Sequence, residues 1–251
     1  MRKLSPAERL IVAADFKPEW NNPDRSEGRL WVRRKVCELA DRLRGTGVYL
    51  KVNSALRAVG YGLIEDIHSY GLKVFADLKL FDIGETLETD GMLLREAKPD
   101  IVTVACTTGV EAMTRLKMAL PETEVLGVTV LTTFKDSDSD SMFCCSTIDA
   151  VKRLASFAKD AHLNGLVSSP AEAEVLRSEF GILFSLNTPG VRLEGKDVKG
   201  DDQNKARVMT PTLAIRAGAD RIVMGRPITQ AADPAAVVRQ VIREIEAALA
   251  G

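Results

Sequence analysis

Short runs rich in β-branched and apolar residues alternate, eight times over, with longer stretches of helical periodicity. The strand candidates are residues 10–14, 48–52, 73–78, 101–104, 125–131, 165–167, 182–186 and 221–224. Helices are expected near 28–44, 56–69, 85–96, 110–119, 147–160, 170–179, 210–217 and 234–249. A strand lying parallel to its predecessor needs a crossover connection, and a helix supplies it. Eight such units in 251 residues are accommodated most simply by closure into an α/β (β/α)₈ TIM barrel, which leaves no strand edge exposed. An open doubly wound sheet is the alternative, but no GxGxxG sequence follows the first strand to favour it. No composition break or low-complexity block interrupts the pattern, so a single barrel domain is expected over residues 1–251.

Several helix starts carry their own signal. Ser169-Pro170, Thr210-Pro211 and Asp233-Pro234 each place a capping oxygen before a proline at the first helical position. The oxygen accepts an orphan backbone amide, and proline has no amide to leave unpaired there. Val237, Val238, Val241, Ile245 and Leu249 recur near helical spacing, as expected of a last helix lying against a sheet. Gly71, Gly181 and Gly218 stand between helix and strand, where a left-handed turn is expected.

Charge narrows the partners. Thirty-four Lys and Arg balance 35 Asp and Glu, with no basic stripe, which argues against nucleic acid as a partner. No apolar run approaches the roughly 18 residues a membrane helix needs. The start MRKLSPAERL has no apolar core of a signal peptide. Cys37, Cys106, Cys144 and Cys145 have no disulfide spacing, which suits a reducing cytoplasm.

A barrel puts its chemistry at the carboxyl ends of its strands. Asp15 falls after strand one, Lys51 near the end of strand two, and Asp77 and Lys79 at the end of strand three. Thr132 and Thr133 close strand five, Thr188-Pro189-Gly190 follow strand seven and Gly225-Arg226 follow strand eight. No such set is expected at the amino-terminal ends. In the run from Phe75 to Asp82 the strand period of two puts Asp77 and Lys79 on one face, above Phe75, with Val74, Ala76 and Leu78 toward the helices. Inward charges at a barrel rim are costly unless paired. Lys51 completes an alternating set, and Asp82 lies close enough in sequence to reach this pocket or a neighbouring subunit's.

A structural salt-bridge network is the plainer alternative. An alternating set also suits an anionic transition state, because a lysine flanked by carboxylates stays protonated and can then deliver its proton. Schiff-base chemistry would need a neutral lysine in apolar surroundings. Carbanion protonation is therefore the expectation. Gly190 and Arg192 after strand seven, with Gly225 and Arg226 after strand eight, fall where barrels bind phosphate.

Four stretches give the chain a family likeness: VYLKVN around Lys51, FADLKLFDIGET from Phe75 to Thr86, TPGVR followed by DDQNKARVMTP, and IVMGRPIT from Ile222 to Thr229. In content, order and spacing they resemble the orotidine 5'-phosphate decarboxylases. The resemblance implies a charged tetrad of Lys51, Asp77, Lys79 and Asp82, with Lys79 as the proton donor to C6 of the pyrimidine and Asp77 beside the departing carboxylate. It further implies a homodimer in which Asp82, Ile83 and Thr86 complete the partner's site. Asp15 and Lys51 would contact the ribose, and Thr132 and Thr133 the base. Gln203, Gly225 and Arg226, helped by Arg192 and with Pro189 nearby, would hold the 5'-phosphate, closing the segment between Arg192 and Lys205. The implied reaction forms uridine 5'-monophosphate without metal or organic cofactor.

The chain departs from the family pattern at Phe81, Gly84-Glu85, Asn53 and Thr133, none of them a charged catalytic position. A related keto-sugar-phosphate decarboxylase would share Asp77, Lys79 and Asp82, but not the TPGVR, DDQ and GRPIT combination. A non-catalytic nucleotide-binding barrel would be expected to have lost a tetrad residue. His68 and His162 are expected at helix ends near the opposite face. Cys144-Cys145 lack the ligands of a zinc site, and Asp136, Asp138 and Asp140 lack the glycine and glutamate of a calcium loop, so a solvated loop is expected. Trp20 and Trp31 are expected to pack or to cover a loop.

Overall fold

A computed structural model of the chain describes residues 3–18, 27–194 and 209–250. In chain order the elements are β1 (Leu10–Ala13), α1 (Glu27–Arg42), β2 (Tyr49–Val52), α2 (Ser54–Val59), α3 (Gly62–Ser69), β3 (Lys73–Leu80), α4 (Gly84–Ala97), β4 (Ile101–Ala105), α5 (Val110–Ala119) and β5 (Glu124–Val128). They continue with α6 (Asp136–Phe143), α7 (Thr147–Asp160), β6 (Gly165–Val167), α8 (Pro170–Phe180), β7 (Ser185–Pro189), α9 (Pro211–Arg216), β8 (Arg221–Met224), α10 (Arg226–Thr229) and α11 (Pro234–Ala250). Each strand pairs in parallel with the next, and β8 pairs with β1, closing an eight-stranded barrel.

Strand alternation divides the core in two. Ile11, Tyr49, Phe75, Ile101, Leu126 and Val223 point inward and fill the barrel. Their neighbours Leu10, Val12, Leu50, Val74, Val102 and Ile222 point outward into the layer under the helices. Each such buried side chain contributes about 1.5–3 kcal/mol, so the helix layer is a principal source of stability. The final helix joins that layer through Val238, Val241 and Ile245.

The three proline-led helices are capped as the sequence suggests. Ser169 N–H donates to Glu172 at 2.8 Å in a capping box, Leu213 N–H donates to Thr210 Oγ1 at 3.3 Å, and Ala236 N–H donates to Asp233 Oδ1 at 3.0 Å. Gly71 adopts the expected left-handed φ, 74°. Among the described residues, no helix is long and apolar enough to cross a membrane.

Some boundaries differ from the sequence reading, each for a physical reason. The seventh strand is Ser185–Pro189 rather than 182–186. The apolar pair Ile182-Leu183 that marked its start is exposed, while polar Ser185 and Asn187 are buried inside the barrel by pairing with charged neighbours. Thr188 and Pro189 are thus part of the strand rather than residues after it. The fifth strand stops at Val128, so Thr132 and Thr133 lie in a turn beyond it. The helix expected over 56–69 is broken into α2 and α3 at Gly60, whose φ is 95°. Asp136, Asp138 and Asp140 belong to α6 rather than to a loop; Asp138 accepts the Lys135 N–H at 2.8 Å and so starts that helix.

Candidate active site

The carboxyl end of the barrel gathers Asp15, just after β1, with Lys51 of β2 and Asp77 and Lys79 of β3. Lys51 faces inward from β2, with Ala13 and Phe75 as its register partners on either side. Its Nζ lies 2.9 Å from Asp15 Oδ2 and 3.2 Å from Asp77 Oδ2. Lys79 Nζ approaches the same Asp77 oxygen at 2.7 Å. Asp77 Oδ1 accepts the Thr103 hydroxyl at 3.0 Å. Both oxygens of this carboxylate are therefore engaged, and its plane is fixed.

Unbroken strand alternation is not what brings Asp77 and Lys79 together. Four steps along β3 from Ala76 to Leu80 match only two along β4 from Val102 to Val104, so β3 bulges between them. Lys79 adopts a left-handed φ of 48°. For a residue with a long side chain that conformation costs roughly 1–2 kcal/mol. The bulge turns the lysine back over Asp77 instead of letting it run on along the strand.

Burial and pairing compete here. Taking a charge out of water costs several kcal/mol per ion, while two charges about 4 Å apart attract by roughly 4 kcal/mol at an effective dielectric of 20. A single pair would barely break even. Burial opposes charge on Asp77, but the two lysines overcome it and hold the carboxyl below its ordinary range. Burial likewise opposes charge on Lys51, but Asp77 and Asp15 outweigh it and push the ammonium above its ordinary value. The side chains of Lys51 and Asp77 are about nine-tenths buried, whereas Lys79 remains 33% exposed. Charge is fixed below and accessible above.

The other residues singled out in the sequence are distributed as follows. Thr132 is half-buried and Thr133 exposed in the turn after β5. Pro189 ends β7, and Gly190 takes the left-handed φ of 86° that lets the chain turn there. Val191 bridges Met209, and Arg192 N–H donates to the Met209 carbonyl at 3.0 Å, tying together the two flanks of residues 195–208. Gln203 lies within that segment, outside the described residues, as does Trp20 in another. Gly225 and Arg226 follow β8 at the same end of the barrel, where a Cβ on Gly225 would lie 3.6 Å from Ala13.

Asp82, Ile83 and Thr86 do not join this cluster. Asp82 Oδ1 accepts the Ile83 N–H at 2.7 Å, and its carbonyl accepts the Thr108 hydroxyl at 2.6 Å. Among the described residues, no ion pair links Asp82 to Lys51 or Lys79; Asp15 stands fourth in the network instead. Phe81 and Ile83 on either side are 66% and 69% exposed.

Two residues that the sequence reading passed over touch the site. Thr103 is fully buried on β4, and inward alternation from Ile101 would have singled it out. Arg57 of α2 donates to the Leu78 carbonyl, a contact with no signal in the sequence.

Away from the site, His68 pairs with Asp100 at 3.1 Å near the base of β3 and β4, a helix-end role. Trp31 packs edge-on against Phe16. The four cysteines are unpaired as disulfides. No group of three or more His, Cys, Asp or Glu among the described residues is placed to hold a metal. A cavity of about 350 Å³ opens at the opposite end of the barrel, lined in part by Arg9, Tyr49, Glu124, Ser185 and Arg221.

Fold and site together define a (β/α)₈ barrel enzyme class with a preorganised lysine–aspartate network at the carboxyl rim. The model of the "Orotidine 5'-phosphate decarboxylase / HUMPS family" matches residues 8–241, and the chain belongs to that family. Among its relatives, the orotidine 5'-phosphate decarboxylase of Methylobacterium sp. (strain 4-46) is 36% identical over 247 residues, covering 96% of this chain and 97% of the relative. The enzyme of the same name from Syntrophus aciditrophicus is 38% identical over 255 residues, covering 98% and 96%. The crystal structure of orotidine 5'-phosphate decarboxylase from Lactobacillus acidophilus superposes with a TM-score of 0.71 at 26% identity, covering 95% of this chain and 99% of that one.

Proposed function

We propose that this chain is an orotidine 5'-phosphate decarboxylase, a carboxy-lyase converting orotidine 5'-monophosphate to uridine 5'-monophosphate and CO₂ in de novo pyrimidine synthesis. The observation that carries the reading is Asp77 held between the ammonium groups of Lys51 and Lys79 at 3.2 and 2.7 Å. When the bond from C6 to the carboxylate breaks, its electron pair stays on C6, in the plane of the ring, where the π system cannot take it up. Stabilisation must then come from charge oriented in advance. Lys79 supplies that charge and delivers its proton to C6. A proton from solvent later restores the ammonium, so one proton is consumed for each CO₂ released and neither oxidant nor reductant is required. Asp77, kept ionised by its two lysines, lies beside the departing carboxylate.

In this reading Asp15 and Lys51 hold the ribose hydroxyls, Thr132 and Thr133 meet the base, and Pro189, Arg192, Gln203, Gly225 and Arg226 hold the 5'-phosphate. Phosphate binding, remote from C6, supplies energy for closing the site. The chain acts as one barrel domain and pairs as a homodimer in the cytoplasm. Support for the dimer comes from Phe81 and Ile83, exposed on either side of Asp82, whose Oδ1 accepts the Ile83 N–H while no lysine of the network pairs with it among the described residues. Asp82, Ile83 and Thr86 would reach the partner's site from there.

The test is to mix the protein with orotidine 5'-monophosphate and follow the ultraviolet change of the pyrimidine ring. Turnover to uridine 5'-monophosphate is expected. Tight binding of that product without turnover would overturn the enzyme reading in favour of a nucleotide-binding barrel.

A further inference from the structure

The bulge that delivers Lys79 leaves one peptide unit, Leu78–Lys79, held by side chains on both sides. On the β2 side, Arg57 Nη2 donates to the Leu78 carbonyl at 2.5 Å. On the β4 side, the Lys79 N–H donates to Thr103 Oγ1 at 2.9 Å. The Thr103 hydroxyl has one proton, and it goes to Asp77 Oδ1 at 3.0 Å. One buried oxygen thus accepts from the backbone of one charged residue and donates to the carboxylate of the other. No other side-chain type of this size and shape fulfils both roles; valine fills the space but can neither donate nor accept.

We propose that Thr103, assisted by Arg57, is a positioning residue for the reaction: the pair clamps the Leu78–Lys79 peptide in its left-handed turn and sets the Lys79 ammonium against Asp77. The inference rests on the decarboxylase reading. It goes beyond that reading in giving a role to two residues that the decarboxylase reading leaves unused. Arg57 holds the turn from outside the barrel, so its removal loosens one side. Removal of the Thr103 hydroxyl frees both the turn and the carboxylate.

The experiment compares Thr103→Val, Thr103→Ser and Arg57→Ala with the parent chain in steady-state decarboxylation of orotidine 5'-monophosphate, with thermal melting run in parallel. For Thr103→Val, kcat is expected to fall roughly ten- to a hundred-fold, as a displacement near 1 Å can do, while KM changes less than about threefold. Thr103→Ser, which keeps the hydroxyl, is expected to retain at least about a third of the parent kcat, and Arg57→Ala to lose about threefold or more. A Thr103→Val chain that melts like the parent and turns over within about threefold of it would overturn the clamp, as would a Thr103→Ser chain as impaired as the valine variant. Should the parent itself not turn over, the decarboxylase reading falls, and crystals of Thr103→Val judge the clamp separately. Residue 79 leaving the left-handed region, or Lys79 Nζ moving off Asp77 by more than about 1 Å, upholds it; both unmoved overturn it.

Discussion

The barrel carries an ionic network at each end, built on opposite plans. At the base Arg221 meets Glu124 fork to fork, with Nη1 2.9 Å from Oε1 and Nη2 2.7 Å from Oε2. Asn187 Oδ1 accepts a further guanidinium bond at 3.2 Å, Ser185 donates to Glu124, and the Tyr49 ring lies under the cation. At the rim, two lysines each make a point contact with one oxygen of Asp77. A guanidinium fork engages its carboxylate in a planar pair and never gives up its proton under ordinary conditions; an ammonium has three donors to distribute and can lose one. The base network therefore suits holding strands together, and the rim network suits chemistry. An opening of about 350 Å³ lies at the base, so a cavity by itself does not mark the reacting end.

The largest effect should come from breaking the rim. Lys79→Ala is expected to lower kcat by at least about a thousand-fold while leaving binding of uridine 5'-monophosphate measurable by calorimetry, because one residue is both proton donor and charge stabiliser. Retained turnover would remove Lys79 from its role. Next, Arg226→Ala should raise KM and lower kcat by about ten-fold or more on the phosphorylated substrate, and should barely alter turnover of orotidine. Equal losses on both would contradict phosphate-driven closure.

At the base the losses should appear in stability instead. Glu124→Gln leaves Arg221 without its counter-charge, and urea unfolding should report about 3 kcal/mol less stability, with kcat within about threefold of the parent. A large kcat loss without destabilisation would erase the contrast between the two ends.

The smallest effect is one of pH. The Asp77 carboxyl is held below its ordinary range, so its contribution to stability is present above the unfolded-state value and is lost as pH falls through the lower folded one. Lys51 lies above its ordinary value, so its contribution is present below the unfolded-state value and is lost as pH rises through the higher folded one. Neither group should titrate between roughly pH 6 and 9. NMR of the Asp77 carboxyl carbon and the Lys51 ammonium nitrogen should show flat shifts across that window, and a midpoint inside it would contradict the network.

Much of this was legible in one dimension. Eight alternations of strand and helix pattern determined a closed parallel barrel, because each parallel return needs a crossover and closure removes the edges. Proline-led caps marked three helix starts to the residue. Lys51, Asp77 and Lys79 were visible as charges at strand ends. Apolar runs misplaced β7, whose inner face is polar because Asn187 and Ser185 meet Arg221 on neighbouring β8 and Glu124 on β5, themselves a pair 97 positions apart.

Only the tertiary structure decided how the site is assembled. Period-two alternation predicted that Asp77 and Lys79 share a face, but they meet through a bulge whose peptide is held by Arg57 from α2 and Thr103 from β4. It also put Asp82, three residues from Lys79, outside the network that Asp15 joins from 64 residues before Lys79. Residue types and their period are local properties, which is why the sequence determines elements and their order. Which carboxylate meets which ammonium depends on strand register and backbone dihedrals, and these are set by neighbours that only folding brings together.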